Sequence, residues 1–506
     1  MNKSNALEQI LSPTSVAIAG VAPARAGQFN TGQLFLDTIL EYGFKGRVYP
    51  LNPKGGEFSG LKVYASVKDV PEPVDYVICC IRAPLVPQLI NDCAAKGVKA
   101  VCVFTAGFSE IGSEEGRELE AEIGRLAQAT GVRIIGPNCM GIYSPKAGLS
   151  FATDLPKDSG RVALICQSGG NTLYLVRAAA ERGVRFSKVV SYGNACDIDE
   201  SDLLEYFIQD TETEIVAAYI EGVNDGRRFH RVLKGLSAVK PVVVLKGGST
   251  RAGRGAAASH TGALAGSDQV WESLLEQTGA VRVHSLDELV DMMVTFRYMP
   301  VPQGRRVAIL GVGGGATVLA TDECAAAGFA LPPLPQEIQQ ELLSAVGSNA
   351  GNILGNPLDI PPVLSSDEKY RELLRTVLRW DGIDFLLYQV PLRGIMLSLS
   401  VACSIFDSQM GNIIKVSGES IKPVAVVMHY LTSAESWQAA SDFQRKIYEA
   451  GLPVYHSTAS AVKAIDRLLR YHQRHEILRG ACPERRKVLR SPEVARGSPK
   501  ATPTSE

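Results

Sequence analysis

Residues 161–176, RVALICQSGGNTLYLV, carry the reading that decides the fold. The run 161–166 is an apolar β-strand, Gln167-Ser168-Gly169-Gly170 interrupts it, and the spacing after it predicts a helix over 173–182. A strand that stops at a glycine loop and turns into a helix opens a crossover unit, and crossover units build parallel sheets. The same order of signals occurs twice more. SVAIAG (15–20) leads through a glycine-containing loop to a helix over 31–42, and the strand 306–310 leads through GVGGGA (311–316) to a helix ending at 327. No close sequence repeat relates the three starts.

Working outward, each start gathers strands that end at Gly, Pro or Asn. The first has RVYPLNP, YVICCI, AVCVFTAG and RIIGPN, with helices over 83–97 and 113–130 between the later ones. The second has KVVSYG, EIVAAYIEG and PVVVLKGG, then helices over 268–278 and 284–299. After the linker PVPQG (300–304) come DFLLYQV, KPVAVVMHY, LPVYHS and a helix over 460–472. The expected organisation is a Rossmann-like doubly wound domain at 1–150, flavodoxin-like domains at 151–300 and 301–475, and a disordered polar tail at 476–506. The length of 506 residues suits about three domains.

Composition narrows the function classes. Lys+Arg number 52 against 53 Asp+Glu, a net charge of −1, so no global positive field exists to hold nucleic acid or an anionic membrane. With 45% hydrophobic and 21% charged residues the chain is neither disordered nor coiled coil. No apolar run reaches the ~18–20 residues that span a bilayer. The first 20 residues lack the apolar core of a signal peptide, so a cytoplasmic location is expected. Ten cysteines form no CxxC pair and several lie in apolar runs, which suits buried, reduced thiols and leaves no zinc-ligand spacing.

Glycine loops after parallel strands present backbone N–H groups and a helix N-terminus to one point, where phosphate binds. The first loop, GVAPARAGQFNTG (20–32), has no GxGxxG, and phosphate binding and a plain tight turn both fit it. The third, GVGGGA, matches a GxGxxA dinucleotide pattern, but no clear acid ends a strand about 20 residues on. The second is the most informative: Ser168, Gly169, Gly170 and Asn171 put a hydroxyl, two glycines and an amide at a helix start. It lacks the Lys-Ser/Thr of an ATP-binding P-loop.

His260 lies in GGSTRAGRGAAASHTGALAGSD (247–268), among small residues that let a bulky reactant approach the imidazole. Neutral imidazole is nucleophilic near pH 7. Glu221, at the end of EIVAAYIEG, is the candidate acid to hold one ring nitrogen. The other six histidines show no ligand spacing, so no metal site is expected.

These residues resemble a family. ASHTGALAGSD, VVVLKGG, the QSGG loop and SYGNACDID together are similar to the α subunit of ADP-forming (NDP-forming) acyl-CoA synthetases, relatives of succinyl-CoA synthetase. GRVYPLNPK, FTAGFSEIG and RIIGPNCMGI resemble that family's CoA-binding domain, and GRRVAILGVGGGA and GNPLDI extend the likeness more loosely to about residue 470. The resemblance implies a CoA-binding Rossmann-like domain followed by two flavodoxin-like, succinyl-CoA synthetase-like domains. It implies an acid–thiol ligase that interconverts acyl-CoA, ADP and phosphate with a carboxylic acid, CoA and ATP, through an acyl phosphate and a phosphohistidine. Carried over, His260 is the phosphorylated nucleophile and Glu221 its acidic partner, with Ser168, Gly169 and Gly170 holding the phosphoryl group. The turn Gly20, Val21, Ala22, Pro23 approaches CoA, Lys54 faces its phosphates, Thr105, Ala106 and Gly107 line the pantetheine, and Asn138 sits near the thioester. Nothing after Gly304 resembles an ATP-grasp module, so ATP/ADP and Mg2+ belong on a separate ATP-grasp β subunit. The third loop departs from the family's Asn-Ala-Gly-Gly type of turn. The alternative is a non-catalytic CoA-binding or regulatory protein of the same fold, and a dehydrogenase built on GVGGGA explains nothing about His260.

Overall fold

The computed structural model describes residues 3–22, 30–253, 267–311, 313–347, 351–360, 366–390, 399–428 and 434–480. The first sheet contains β1 (Ser15–Ala19), β2 (Arg47–Leu51), β5 (Tyr76–Cys79), β6 (Ala100–Val103) and β7 (Arg133–Ile135), and a hairpin of β3 (Gly56–Phe58) and β4 (Leu61–Val63) follows β2. Its order is β2-β1-β5-β6-β7, all parallel. The chain reverses its direction of winding between β1 and β5, and such a switch opens a crevice at the carboxyl ends of those strands.

The second sheet holds β8 (Gly141–Tyr143), β9 (Val162–Cys166), β10 (Phe186–Ser191), β11 (Ile215–Ile220), β12 (Val242–Lys246) and β13 (Val281–Val283), in the order β13-β12-β11-β9-β10-β8. The third holds β14 (Val307–Gly311), β15 (Ile353–Leu354), β16 (Leu358–Asp359), β17 (Phe385–Val390), β18 (Val424–Met428) and β19 (Val454–Tyr455), in the order β15-β16-β14-β17-β18-β19. Both are parallel except at one edge, where β8 and β15 run antiparallel to their neighbours. The central strands β9, β12 and β17 are buried along their whole length. Helices cover both faces of such sheets, which is why these strands are continuous apolar runs rather than alternating ones.

Helix boundaries follow local chemistry. Asn30 and Ser113 cap the helices Thr31–Tyr42 and Glu114–Thr130, their side chains accepting from the N–H groups of Gln33 and Gly116. Two helices outrun the sequence reading. Ser168 caps a helix that runs Gly169–Glu181, so both glycines lie inside its first turn. The last helix runs Thr458–Gly480, past His472 and into the stretch read as a tail. Residues 481–506 lie outside the described structure.

Cys79, Cys80, Cys93, Cys102, Cys139, Cys166, Cys196 and Cys324 are free thiols, six of them buried, and burial pushes the Cys79 thiol up to about 12. No described helix is long and apolar enough to cross a membrane.

Candidate active site

Neighbouring strands β12, β11 and β9 end side by side, so the segments after them share one edge. Gln167 reaches across: its buried side-chain oxygen accepts from the N–H groups of Glu221, at 2.5 Å, and Gly222, at 3.1 Å. That clamp fixes the end of β11 against the start of the Ser168 loop. Ser168 accepts from Asn171 N–H at 3.3 Å, leaving the first N–H groups of a 13-residue helix directed outward. Gly170 is exposed, and a Cβ there would meet nothing within 4 Å. The arrangement suits an anion, favoured by the dipole of the helix.

Glu221 is 7% exposed, and Tyr219 donates its hydroxyl to Glu221 Oε1 at 3.1 Å. Burial, and then the Glu221 charge, push the Tyr219 hydroxyl above its ordinary range. At the end of β12 the buried Lys246 ammonium donates to Gly247 O and lies 5.4 Å from the Trp271 ring centre. A Cβ on Gly247 would come within 2.7 Å of the Tyr219 hydroxyl and 3.1 Å of Glu221 Cγ. A side chain at this position would press on that pair as the chain passes over it. The chain then enters residues 254–266, which lie outside the described structure and include His260.

The carboxyl edge of the first sheet is a second site. Gly20 has φ +98°, and a Cβ on it would sit 2.9 Å from Cys80 O. A Cβ on Gly32 would sit 2.5 Å from Gly20 O. Absence of both side chains brings the turn Gly20-Val21-Ala22 against the start of helix Thr31–Tyr42, a cradle that fits the phosphates of a nucleotide-like ligand such as CoA. Asn52 donates to Val21 O at 2.8 Å and accepts from Lys54 N–H at 2.9 Å, which ties the Lys54 turn to that cradle. Lys54 itself is exposed. Pro23 lies outside the described residues.

Asn138 joins the two edges. Its N–H donates to Thr105 O at 3.1 Å, and its side chain donates to Asn194 Oδ1 at 3.5 Å. Thr105 donates to Ile81 O at 2.6 Å, while Ala106 is exposed and Gly107 N–H is held by Glu110 Oε1 at 2.6 Å. Asn194 donates to Glu110 Oε2 at 2.7 Å and Glu120 Oε2 at 2.8 Å, docking the loop after β10 onto the loop after β6. Two residues beyond Asn138, Met140 donates its N–H to Ser191 Oγ at 3.1 Å, and its Cγ lies 3.0 Å from where a Gly169 Cβ would be. Thr105, Asn138, Met140 and the Ser168 loop therefore form one continuous line from the first sheet to the second. The sequence does not mark Tyr219, Lys246, Met140 or Asn194 as site residues, and it shows Gln167 only as part of the loop. Gln167, flanking the glycine pair, was the one legible signal, since a buried amide beside a loop needs partners.

In the third sheet the loop after β14 is closed by Asp359, whose Oδ1 accepts from Gly313 N–H at 2.8 Å. This acid ends the adjacent strand β16, much farther along the chain than a dinucleotide fingerprint requires. Among the described residues, no group of three His, Cys, Asp or Glu side chains is placed to hold a metal ion.

Fold and loops define the class of protein: a CoA-binding domain joined to a ligase-type flavodoxin domain. Residues 14–145 match the model of a CoA-binding domain, and residues 159–296 that of a succinyl-CoA ligase-like flavodoxin domain. The α subunit of ADP-forming acetate–CoA ligase I from Pyrococcus furiosus is 34% identical over 474 residues, covering 92% of this chain and 97% of its own. The ADP-forming acetate–CoA ligase of Methanocaldococcus jannaschii is 39% identical over 356 residues, 70% of this chain and 49% of that one, so the match spans about half of that relative. Acetyl-coenzyme A synthetase 1 of Ca. Korarchaeum cryptofilum, solved with phosphate and ADP, superposes with a TM-score of 0.77 at 33% identity over 94% of this chain and 99% of that one. The chain belongs to the ADP-forming acyl-CoA synthetase family.

Proposed function

We propose that this chain is the α subunit of an acid–thiol ligase and carries the acyl-transfer and phosphohistidine chemistry of its family. The observation that carries the reading is the line from Thr105 through Asn138 and Met140 to Gly169, which makes a CoA-binding edge and an anion-binding helix start neighbours.

In the ATP-forming direction, starting from acyl-CoA, a phosphate oxygen attacks the thioester carbonyl. The carbon–sulfur bond breaks, CoA leaves as its thiol after taking a proton, and an acyl phosphate remains. The turn Gly20, Val21, Ala22 and Pro23 approaches CoA, and Lys54 faces its phosphates as a point charge. Thr105, Ala106 and Gly107 line the pantetheine arm, and Asn138 orients the thioester. His260 then attacks phosphorus, and the carboxylate departs. Ser168, Gly169 and Gly170 hold the phosphoryl oxygens during the transfer. Glu221 orients the imidazole and balances its positive charge, a role its buried setting strengthens. The phosphoryl group passes to ADP on an ATP-grasp β subunit, and Mg2+ bound there would shield the phosphate charges. The length of the M. jannaschii relative outside the match is room for such a module in a single polypeptide.

The acid is a small carboxylic acid, and a screen identifies it. The chain, combined with its cognate ATP-grasp subunit, Mg2+, ATP and CoA, is offered a panel of short, branched and aromatic acids. ADP release that requires both CoA and one class of acid is the expected result. CoA binding with no turnover of any acid would favour a regulatory CoA-binding protein instead.

A further inference from the structure

The second sheet has an opposite edge that the ligase chemistry does not use. The residues that precede β9, β10 and β11 there enclose a cleft of about 510 Å3. β9 separates it from the Ser168 loop by about 17 Å. Its walls carry four cations, Lys146, Arg161, Arg185 and Arg297, against a single carboxylate, Glu212. Such a balance is unusual in a chain whose net charge is −1.

The local pairing leaves part of this charge unanswered. Glu212 is shared, since it takes Lys146 and also Lys188 Nζ at 2.7 Å. Arg161 pairs with Glu214 at 3.3 Å, both largely solvated. Arg185 donates to the carbonyls of Ala180 and Val184 at 2.9 and 3.2 Å, and Arg297 lies 5.4 Å from the Tyr298 ring centre. Neither Arg185 nor Arg297 has a described carboxylate within 4.0 Å, so the cleft holds two guanidinium groups without an acid.

The wall between them is built closely. Tyr298 donates its hydroxyl to Gly183 O at 2.6 Å. Burial raises the Tyr298 hydroxyl above its ordinary range, while Arg297 and then Arg185 oppose that shift, which places both charges near this one ring. Gly183 has φ +81°, and a side chain on it would run into Tyr298 and into Tyr448 of the third unit. Gly160 likewise has no room for a Cβ against Arg185 O.

We propose that this cleft is an anion site for a small molecule bearing a diphosphate, distinct from the CoA cradle and from the Ser168 loop. A guanidinium fork matches phosphate oxygens bidentately, two such groups match two phosphates, and the volume falls within the range of small-molecule sites.

Inorganic pyrophosphate titrated into the full chain by calorimetry at low salt tests this. The Arg297→Glu variant changes an exposed side chain and is expected to keep the fold. It is expected to weaken pyrophosphate binding about tenfold or more, and to leave CoA binding unchanged. Arg297→Lys, which keeps the charge and loses the fork, is expected to fall between the two. Competition by ADP would identify a nucleotide as the source of the diphosphate, and its absence a non-nucleotide phosphate ester. Absence of pyrophosphate binding at millimolar concentration, or equal binding by wild type and Arg297→Glu, would overturn the proposal.

Discussion

Gly247 shows how much a missing side chain can decide. Its Cα is where the chain leaves β12 and crosses above Tyr219 and Glu221, and a methyl group there would press on both. Gly247→Ala is expected to cost about 1–3 kcal/mol. In the Tyr219→Phe background the penalty should shrink, because the hydroxyl 2.7 Å from the new carbon is gone. Urea unfolding of the two single variants and the double variant measures that coupling. Gln167 invites a complementary test. Gln167→Ala removes the acceptor for two buried N–H groups, those of Glu221 and Gly222, and each donor left unpaired costs about 1–3 kcal/mol. The expected outcome is a lower unfolding midpoint together with weakened phosphoenzyme formation, since the backbone that carries Glu221 loses its anchor. Individual site residues were legible where the chemistry is local. Ser168, Gly169, Gly170 and Glu221 stand out by type and position. Residues that act across strands, such as Gln167 and Tyr219, were not, because nothing in a linear sequence says which strand ends will be neighbours.

At the scale of elements, the helix Gly169–Glu181 separates stability from function. Ser168 caps it, and aspartate is about as good a cap as serine. Ser168→Asp is therefore expected to hold stability within about 0.5 kcal/mol of wild type. It places a negative charge at the proposed phosphoryl site, so phosphoenzyme yield should fall about tenfold or more. Denaturant unfolding and phosphoryl labelling on the same preparations check both halves. Strand–loop–helix starts were readable from apolar runs and glycines, and helix Thr31–Tyr42 falls where the spacing put it. The edge strands β8 and β15 were not readable. They are two or three residues long, and their antiparallel pairing is imposed by tertiary neighbours rather than by propensity. The spacing puts the start of the Gly169–Glu181 helix four residues late because the glycines look like helix breakers, and the Ser168 cap overrides that.

Across the whole molecule, the second and third units are pinned at one buried cation. Arg182 donates to Asp291 Oδ1 at 2.7 Å and to Val454 O at 2.6 Å, linking the helix after β9 to β19. Nearby, His456 bonds Gln444 Oε1 through Nε2 at 2.9 Å. Burial, and then the Arg182 charge, depress the His456 pKa from 6.5 to about 3. The folded state therefore holds this ring neutral while the unfolded chain protonates it below 6.5. Stability from this group is present above 6.5 and is lost as pH falls toward 3, at up to about 1.4 kcal/mol per pH unit. Urea unfolding at pH 7 and pH 5 should show a smaller acid loss in His456→Gln than in wild type. The proposed chemistry makes the molecule half of an enzyme whose phosphoryl group rests on His260. Incubated with its ATP-grasp subunit, Mg2+ and ATP labelled at the γ-phosphate, the chain should acquire an acid-labile, base-stable label that maps to His260 and disappears in His260→Asn. A label that survives in His260→Asn, or none with any cognate partner, would contradict it.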